Sequence, residues 1–423
     1  MRRYYIWTIG CQMNKADSRR AAEELEKLGY REARRAEDAD VIVLNTCVVR
    51  QSAEDRVYGR LSSLKPLKRH RPDAILGVMG CLVTDDVAPL QKRFPYVDIF
   101  LKPSDVEGLI EFIKSRHPAS SLQLPASSFQ CPVSCYVPII HGCDNFCTYC
   151  IVPYRRGRER SRPIPEIVGE VRSLVERGAR EVTLLGQNVD SYGHDLPGKP
   201  NLVDVLTAIH RIEGLWRIRF LTSHPKDMTD DIIEAVACLP KVCEHIELPV
   251  QSGDDEVLKR MGRPYTVAQY RQLIERIRER VNGVGLVTDV IVGFPGETEE
   301  QFMNTYRLLE EVRFDAVHVA VYSPRPGTAA ARLADDVPQE EKIRRREAIE
   351  ELQERIATEI NRRLLGKTVE ILVEEKHKGK WKGRTRTNKL VFFQDEGDWR
   401  GKLAQVKITW TGPWSLQGEV IKD

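Results

Sequence analysis

Cys143, Cys147 and Cys150 form a C-x3-C-x2-C triplet in the run His141-Gly-Cys-Asp-Asn-Phe-Cys-Thr-Tyr-Cys150, at the end of the apolar stretch Val137–Ile140. Thiolates at this spacing suit a soft metal or an iron–sulfur cluster. A closed structural site would use four ligands, so a cluster held by this triplet keeps an open coordination position, where metal chemistry takes place. Cys11, Cys47 and Cys81 form a second set, each just after an apolar run: Trp7-Thr-Ile-Gly-Cys11, Leu44-Asn-Thr-Cys47 and Val78-Met-Gly-Cys81. If those runs are neighbouring parallel strands, their carboxyl ends share one rim and the thiols converge there. Gly10 and Gly80 would let backbone approach a bulky ligand. Three buried cysteines acting as small hydrophobes are the plainer alternative.

Cys131 and Cys135 read as bystanders of the triplet, and Cys238 and Cys243, around Leu239-Pro240, as packing residues. Polar clusters follow later apolar runs: Gly186-Gln187-Asn188, Thr222-Ser-His-Pro225, Gln251-Ser-Gly253 and Gly293-Phe-Pro-Gly-Glu297. Each alone could be turn chemistry. Together they fit the active rim of a βα barrel. Arg155, Arg156, Arg158, Arg160 and Arg162 follow the triplet and read as a phosphate-facing lip, because the guanidinium fork matches phosphate oxygens. From Lys376 to Lys389 the chain carries seven positive charges, Lys382, Arg384 and Arg386 among them, and no acidic residue. With Trp381 and Phe392-Phe393 nearby, this reads as an RNA-binding patch, or otherwise as an edge strand blunted by lysines.

These residues need elements to place them. Over residues 1–115 strand candidates at Tyr4–Ile9, Val41–Leu44, Ile75–Met79 and Val97–Leu101 alternate with helical patterns such as Asp17–Leu28, as in a parallel, Rossmann-like α/β sheet. Residues 116–136 are rich in Pro and Ser and read as a linker. Six strand candidates follow, at Val137–Ile140, Glu181–Leu185, Arg217–Leu221, His245–Pro249, Val287–Val292 and Ala316–Tyr322, implying a partial (β/α)6 barrel. Ile349, Leu352, Ile356, Ile360 and Leu364 recur at helical spacing in Gln339–Leu364, closing a segment that runs over 137–365. Residues 366–423 turn to short alternating strands and read as a small all-β barrel.

The 423 residues suit two or three domains, with 41% hydrophobic and 30% charged residues and a mean hydropathy of −0.39. No apolar run approaches the roughly 18 residues of a membrane span and no signal-peptide core opens the chain, so a cytoplasmic location is expected. There the ten cysteines favour metal over disulfides. With a net charge of +3, nucleic-acid affinity would need local patches.

The chain resembles the radical S-adenosylmethionine methylthiotransferases, and most closely their bacterial tRNA-modifying branch. The likeness rests on Gly10–Asn14, Asn45–Arg50, Thr222–Pro225, Leu248–Gly253, Tyr322–Thr328 and Gly383–Asn388, and on the order of parts ending in a TRAM module. The resemblance implies that Cys143, Cys147 and Cys150 hold a 4Fe–4S cluster whose open iron chelates S-adenosylmethionine. Cys11, Cys47 and Cys81 would hold an auxiliary 4Fe–4S cluster that donates sulfur. Gly186, Gln187, Ser223, Gln251, Asp289 and Gly293 would contact S-adenosylmethionine, and Arg155, Arg156, Arg158, Lys382, Arg384 and Arg386 the RNA. The implied reaction places a methylthio group on carbon 2 of the dimethylallylated adenosine beside the tRNA anticodon, with two S-adenosylmethionine and a flavodoxin- or ferredoxin-type electron donor; nothing in the sequence demands more than a monomer. An unactivated aromatic C–H offers no acidic proton, so a cofactor-borne radical is the chemistry that opens it. Competing expectations are a sister enzyme acting on threonylcarbamoyladenosine or on a ribosomal-protein aspartate, and a non-catalytic RNA-binding protein with structural zinc.

Overall fold

A computed structural model describes residues 1–48, 51–117 and 131–421 of the chain. Most of the expected linker, at 118–130, and the Val49-Arg50 end of one motif lie outside the described residues. The chain forms two compact units. One holds the described residues of Met1–Gln130 with His141–Asn145 and Cys150–Glu159; the other holds Cys131–Ile140, Phe146–Tyr149 and Arg160 onward.

In the first unit β1 (Arg3–Thr8), β2 (Arg31–Glu32), β3 (Val41–Thr46), β4 (Ile75–Gly80) and β5 (Ile99–Leu101) form a parallel sheet in the order β2-β1-β3-β4-β5. β3 and β4 are buried along their whole length, as apolar strands covered on both faces must be. The edge strand β2 was not expected: two exposed residues give no periodic signal. The first helix spans Gln12–Lys27, five residues ahead of its expected start, with Cys11 as its N-cap. The Asn14 carboxamide accepts from the Cys11 N–H at 3.4 Å, so polar capping begins the helix where the apolar pattern has not yet started.

The second unit opens with β6 (Ser134–Pro138), three residues before the expected strand, so Cys135 is a strand residue. Short strands β7 (Ile140–His141) and β8 (Arg160–Ser161) follow, then β9 (Glu181–Leu185), β10 (Arg217–Phe220), β11 (His245–Glu247), β12 (Gly285–Val292) and β13 (Ala316–Val321). β6-β9-β10 and β11-β12-β13 are parallel sheets. A parallel bridge from Ile218 to Val242 continues the first toward the second. The result is an open array of six parallel strands in chain order, with helices between them. Cys131 and Cys135 lie in its apolar core and Cys243 is buried, but Cys238 is exposed, contrary to the packing role expected of it. Cys238 ends the helix Asp230–Cys238 on its solvent side, where its thiol donates to Glu234.

The long helix spans Gln339–Arg362 and buries Ile349, Leu352 and Ile356. It also buries Lys342 and Arg345, which hydrophobic periodicity cannot register; Arg345 pairs with buried Glu297 at 2.9 Å. β14 (Thr368–His377), β15 (Lys380–Arg384), β16 (Leu390–Phe393), β17 (Leu403–Thr411) and β18 (Leu416–Val420) close a barrel in the order β14-β15-β16-β18-β17. Trp381 and Phe393 fill its core beside Ile371, Val391 and Ile408 and are unavailable for base stacking. A module of about 60 residues buries only about 60% of its unfolded surface and gains from docking. Here Arg217 of β10 donates to the Arg384 carbonyl at 2.6 Å and to Glu370 at 2.9 Å. Arg219 donates to the carbonyls of Arg386 and Thr385 at 2.5 and 2.7 Å. The barrel's Thr385–Lys389 turn thereby seats against the amino-terminal ends of the parallel strands.

Candidate active site

Within the first unit the ends of β1, β3 and β4 are neighbours: Thr8 is in register with Asn45, and Thr46 with Gly80. Cys11, Cys47 and Cys81 leave from this rim. Gly10 has φ +136°, and a Cβ there would lie 2.7 Å from the Cβ of Cys47. No other residue type would let the two chain segments approach so closely. Buried amides fix the rim. Asn14 donates to Asn45 Oδ1 at 2.8 Å and to the Thr46 carbonyl at 3.0 Å, and Asn45 returns a bond to the Asn14 carbonyl at 2.8 Å. The Cys81 N–H donates to the Thr46 carbonyl at 3.0 Å. Cys11 caps a helix N-terminus, whose dipole favours thiolate, and it is exposed whereas Cys47 and Cys81 are buried. Burial pushes the Cys81 thiol up, and the Arg156 charge opposes this most strongly.

That arginine corrects one expectation. The Arg156 side chain is only 4% exposed, and its Nη1 stands 3.8 Å from a carboxylate oxygen of Asp17, itself 1% exposed. Arg156 therefore faces the cysteine rim and cannot belong to a surface lip. Arg158 is exposed and forks onto Asp144 at 2.6 and 3.0 Å. Arg162 is held by the Pro138 carbonyl at 2.6 Å and Glu170 at 2.8 Å. Uneven exposure along this segment separates charges that are close in sequence.

Of the second triplet, Cys143 and Cys147 are buried and Cys150 partly so. Their spacing alone keeps them within eight residues of chain. In the second unit the Cys147 sulfur accepts from Arg263 Nη1 at 3.6 Å; the same guanidinium donates to Tyr265 Oη at 2.7 Å and to the Pro249 carbonyl at 2.8 Å. Thr148 is tied by backbone and hydroxyl to the carbonyls of Met261 and Arg260. Sequence reasoning missed Arg263; its place between a loop glycine and a proline carried no periodic signal.

Gly186 and Gln187 follow β9, Ser223 follows β10, Gln251 follows β11 and Gly293 follows β12, all on the carboxyl side, whereas Asp289 lies within β12. Buried Gln187 Oε1 and His224 Nε2 have no hydrogen-bond partner, the condition expected of groups that meet a ligand. Burial, then Arg263 and Lys226, push the His224 imidazole down to about 2, so the ring is neutral. Ser223 instead donates to buried Asp190 at 3.0 Å. Gln251, at φ +71°, accepts through its carbonyl from Ile291 and donates through its N–H to the Asp289 carbonyl. Beside it lies Glu247, which sequence reasoning passed over. Burial first, then the Asp289 charge, raise its carboxyl to about 8. Gly186 and Gly293 have packing reasons: added Cβ atoms would lie 2.4 Å from Ile140 Cγ2 and 2.3 Å from Lys342 Cγ.

The basic run of the small barrel is partly spent within the second unit. Arg386 forks onto Glu244 at 2.6 and 2.7 Å and donates to the Val242 carbonyl, and Lys389 pairs with Asp315 at 2.6 Å. Lys382 pairs with Glu375 at 2.6 Å, and Arg384 with Glu374 at 3.4 Å. Lys376 and Lys378 are exposed.

Residues 137–309 match the Radical SAM superfamily, 3–102 the Uncharacterized protein family UPF0004, and 362–421 the TRAM domain. A tRNA-2-methylthio-N(6)-dimethylallyladenosine synthase of Roseiflexus sp. (strain RS-1) is 55% identical over 99% of this chain and 89% of its own length. Proteins of the same name from Herpetosiphon aurantiacus and Dictyoglomus thermophilum are 51% and 47% identical, over 99% and 100% of this chain and 97% and 99% of their own lengths. Among solved structures, the radical S-adenosylmethionine methyltransferase TsrM from Kitasatospora setae shares the fold, with a TM-score of 0.57 and 13% identity over 78% of this chain and 75% of its own. The parallel array and its cysteine-bearing loop are those of a radical S-adenosylmethionine enzyme. Within that class the chain belongs to the tRNA-2-methylthio-N(6)-dimethylallyladenosine synthase family. Enzymes of this kind use S-adenosylmethionine and 4Fe–4S clusters. Six thiols in two sets of three, all of them soft donors, fit such clusters.

Proposed function

We propose that this chain installs a methylthio group on carbon 2 of N(6)-dimethylallyladenosine beside the anticodon of tRNA. The observation that carries the reading is the pair of cysteine sets, Cys143/Cys147/Cys150 on the radical SAM segment and Cys11/Cys47/Cys81 on the rim of the amino-terminal sheet. When bound, the clusters and S-adenosylmethionine supply a carbon-centred radical and an activated sulfur. Cys143, Cys147 and Cys150 would ligate the first cluster, leaving one iron open. Cys11, Cys47 and Cys81 would ligate the second.

Gln187 Oε1 presents an acceptor and the Nε2–H of neutral His224 a donor to a cofactor on the barrel rim, and Glu247 and Asp289 offer carboxyl groups to its hydroxyl or ammonium groups. A radical formed there must be shielded from water, which would quench it. Lys376 and Lys378, with Lys382 and Arg384 beside them, are the charges of the small barrel best placed for RNA phosphates. Cytoplasmic location, a flavodoxin- or ferredoxin-type donor and a monomeric state complete the reading. No helix among the described residues is long and apolar enough to cross a membrane. The test is nucleoside mass spectrometry of tRNA from a bacterial strain lacking its own such enzyme and expressing this chain. Recovery of 2-methylthio-N(6)-dimethylallyladenosine is expected. Methylthiolation of threonylcarbamoyladenosine alone would reassign the substrate to the sister activity.

A further inference from the structure

We infer that Arg156 is a positioning residue for the sulfur centre at Cys11, Cys47 and Cys81, one that holds a fixed positive charge and a hydrogen-bond donor against it. This rests on the reading that these cysteines hold the auxiliary cluster. Arg156 ends the short helix Val152–Arg156, just after the radical SAM triplet, yet its side chain enters the amino-terminal rim. Its Nη1 reaches Ser104 Oγ at 3.4 Å and stands 3.8 Å from Asp17, and its charge and hydrogen-bonding capacity act on Cys81.

One observation points to a further acceptor. Arg156 Nη2 is buried without a hydrogen-bond partner. A buried, unsatisfied guanidinium nitrogen is costly, and native proteins rarely leave one without a ligand or ordered water. At the mouth of three converging thiols, the acceptor that fits is sulfur: a cysteine thiolate or a cluster sulfide. Three thiolates and a 4Fe–4S core carry net negative charge, which grows by one on reduction. Arginine stays protonated at every accessible pH, so its charge favours the reduced form throughout. Hydrogen bonds to cluster sulfur and local charge are among the levers that set cluster potentials. Asp17, 3.8 Å from Nη1, offsets part of the buried positive charge.

The test uses the full chain carrying Cys143→Ala, Cys147→Ala and Cys150→Ala, purified without oxygen, so that any remaining cluster belongs to the amino-terminal rim. About four irons with matching sulfide are expected; absence of iron would sink the auxiliary-cluster reading itself, independently of Arg156. In that background Arg156→Met should shift the midpoint of an EPR-monitored redox titration to more negative potential and change the cluster's EPR line shape. Arg156→Lys, which keeps the charge but loses the fork, should restore most of the midpoint. An unchanged midpoint and line shape in Arg156→Met would overturn the proposal. If Arg156→Met fails to retain iron, Arg156→Lys decides: retention supports the proposal, whereas loss in both, with an equally lowered unfolding temperature, makes Arg156 structural only and overturns it.

Discussion

At the scale of single residues, the amino-terminal centre depends on close backbone approach as much as on its thiols. Gly10→Ala would force a Cβ to 2.7 Å from the Cβ of Cys47 at a φ of +136°. The expected outcome is a loss of about half the bound iron with little change in the rest of the fold, measured by iron and sulfide analysis; full iron content would contradict the convergence described here. The strand-end placement of Cys11, Cys47 and Cys81 and the close approach at Gly10 were legible in sequence because these are local signals. Arg156 was misread because adjacency in a basic run says nothing of which side chains turn inward. Arg263 and Glu247 were missed because each acts through a partner remote in sequence, the Cys147 sulfur and Asp289 respectively.

At the scale of elements, the docked turn of the small barrel divides its basic residues by role. Arg386→Ala leaves Glu244 without its fork and should destabilise the second unit by about 1–3 kcal/mol, read as a lowered unfolding temperature. Lys378→Ala, at an exposed position, should instead leave stability unchanged and reduce the salt dependence of tRNA binding by about one counterion. Equal effects of the two substitutions on binding, with none on stability, would refute this division.

His245, beneath the same turn, accepts through Nε2 from Asn388 Nδ2 at 3.3 Å. Burial above all, then Arg219, Arg384, His318 and Lys389, push its imidazole down to about 3. The folded value thus lies below the unfolded one near 6.5. The stability this group contributes is present above about pH 6.5 and is lost as pH falls toward 3, at about 1.4 kcal/mol per pH unit. Between pH 7.5 and 5.5, His245→Gln should lose less unfolding free energy than the parent, by about 1 kcal/mol; parallel pH profiles would contradict the assignment. The strand and helix order of these elements was readable from period and turn residues. The docking was not, since Arg217–Glu370 and Arg386–Glu244 join residues more than a hundred positions apart.

For the whole molecule, the order of parts and the division of cysteines into two sets were readable from the chain, because each motif is short and chemically specific. Family likeness then narrowed the reaction, with relatives near 50% identity along the full length. What the sequence could not say is which of its charges find partners within the protein: Arg156 and Arg386 read as RNA-facing until their partners are known, and the buried Lys342 and Arg345 leave no periodic signal. The central claim is that the two cysteine sets do different work. It is tested most directly by anaerobic assay of Cys47→Ala and Cys147→Ala with S-adenosylmethionine, a low-potential reductant and tRNA bearing N(6)-dimethylallyladenosine, measuring 5′-deoxyadenosine and methylthiolated nucleoside together. Cys147→Ala should form neither. Cys47→Ala should still form 5′-deoxyadenosine and no methylthiolated product; methylthiolated nucleoside from Cys47→Ala would contradict the account.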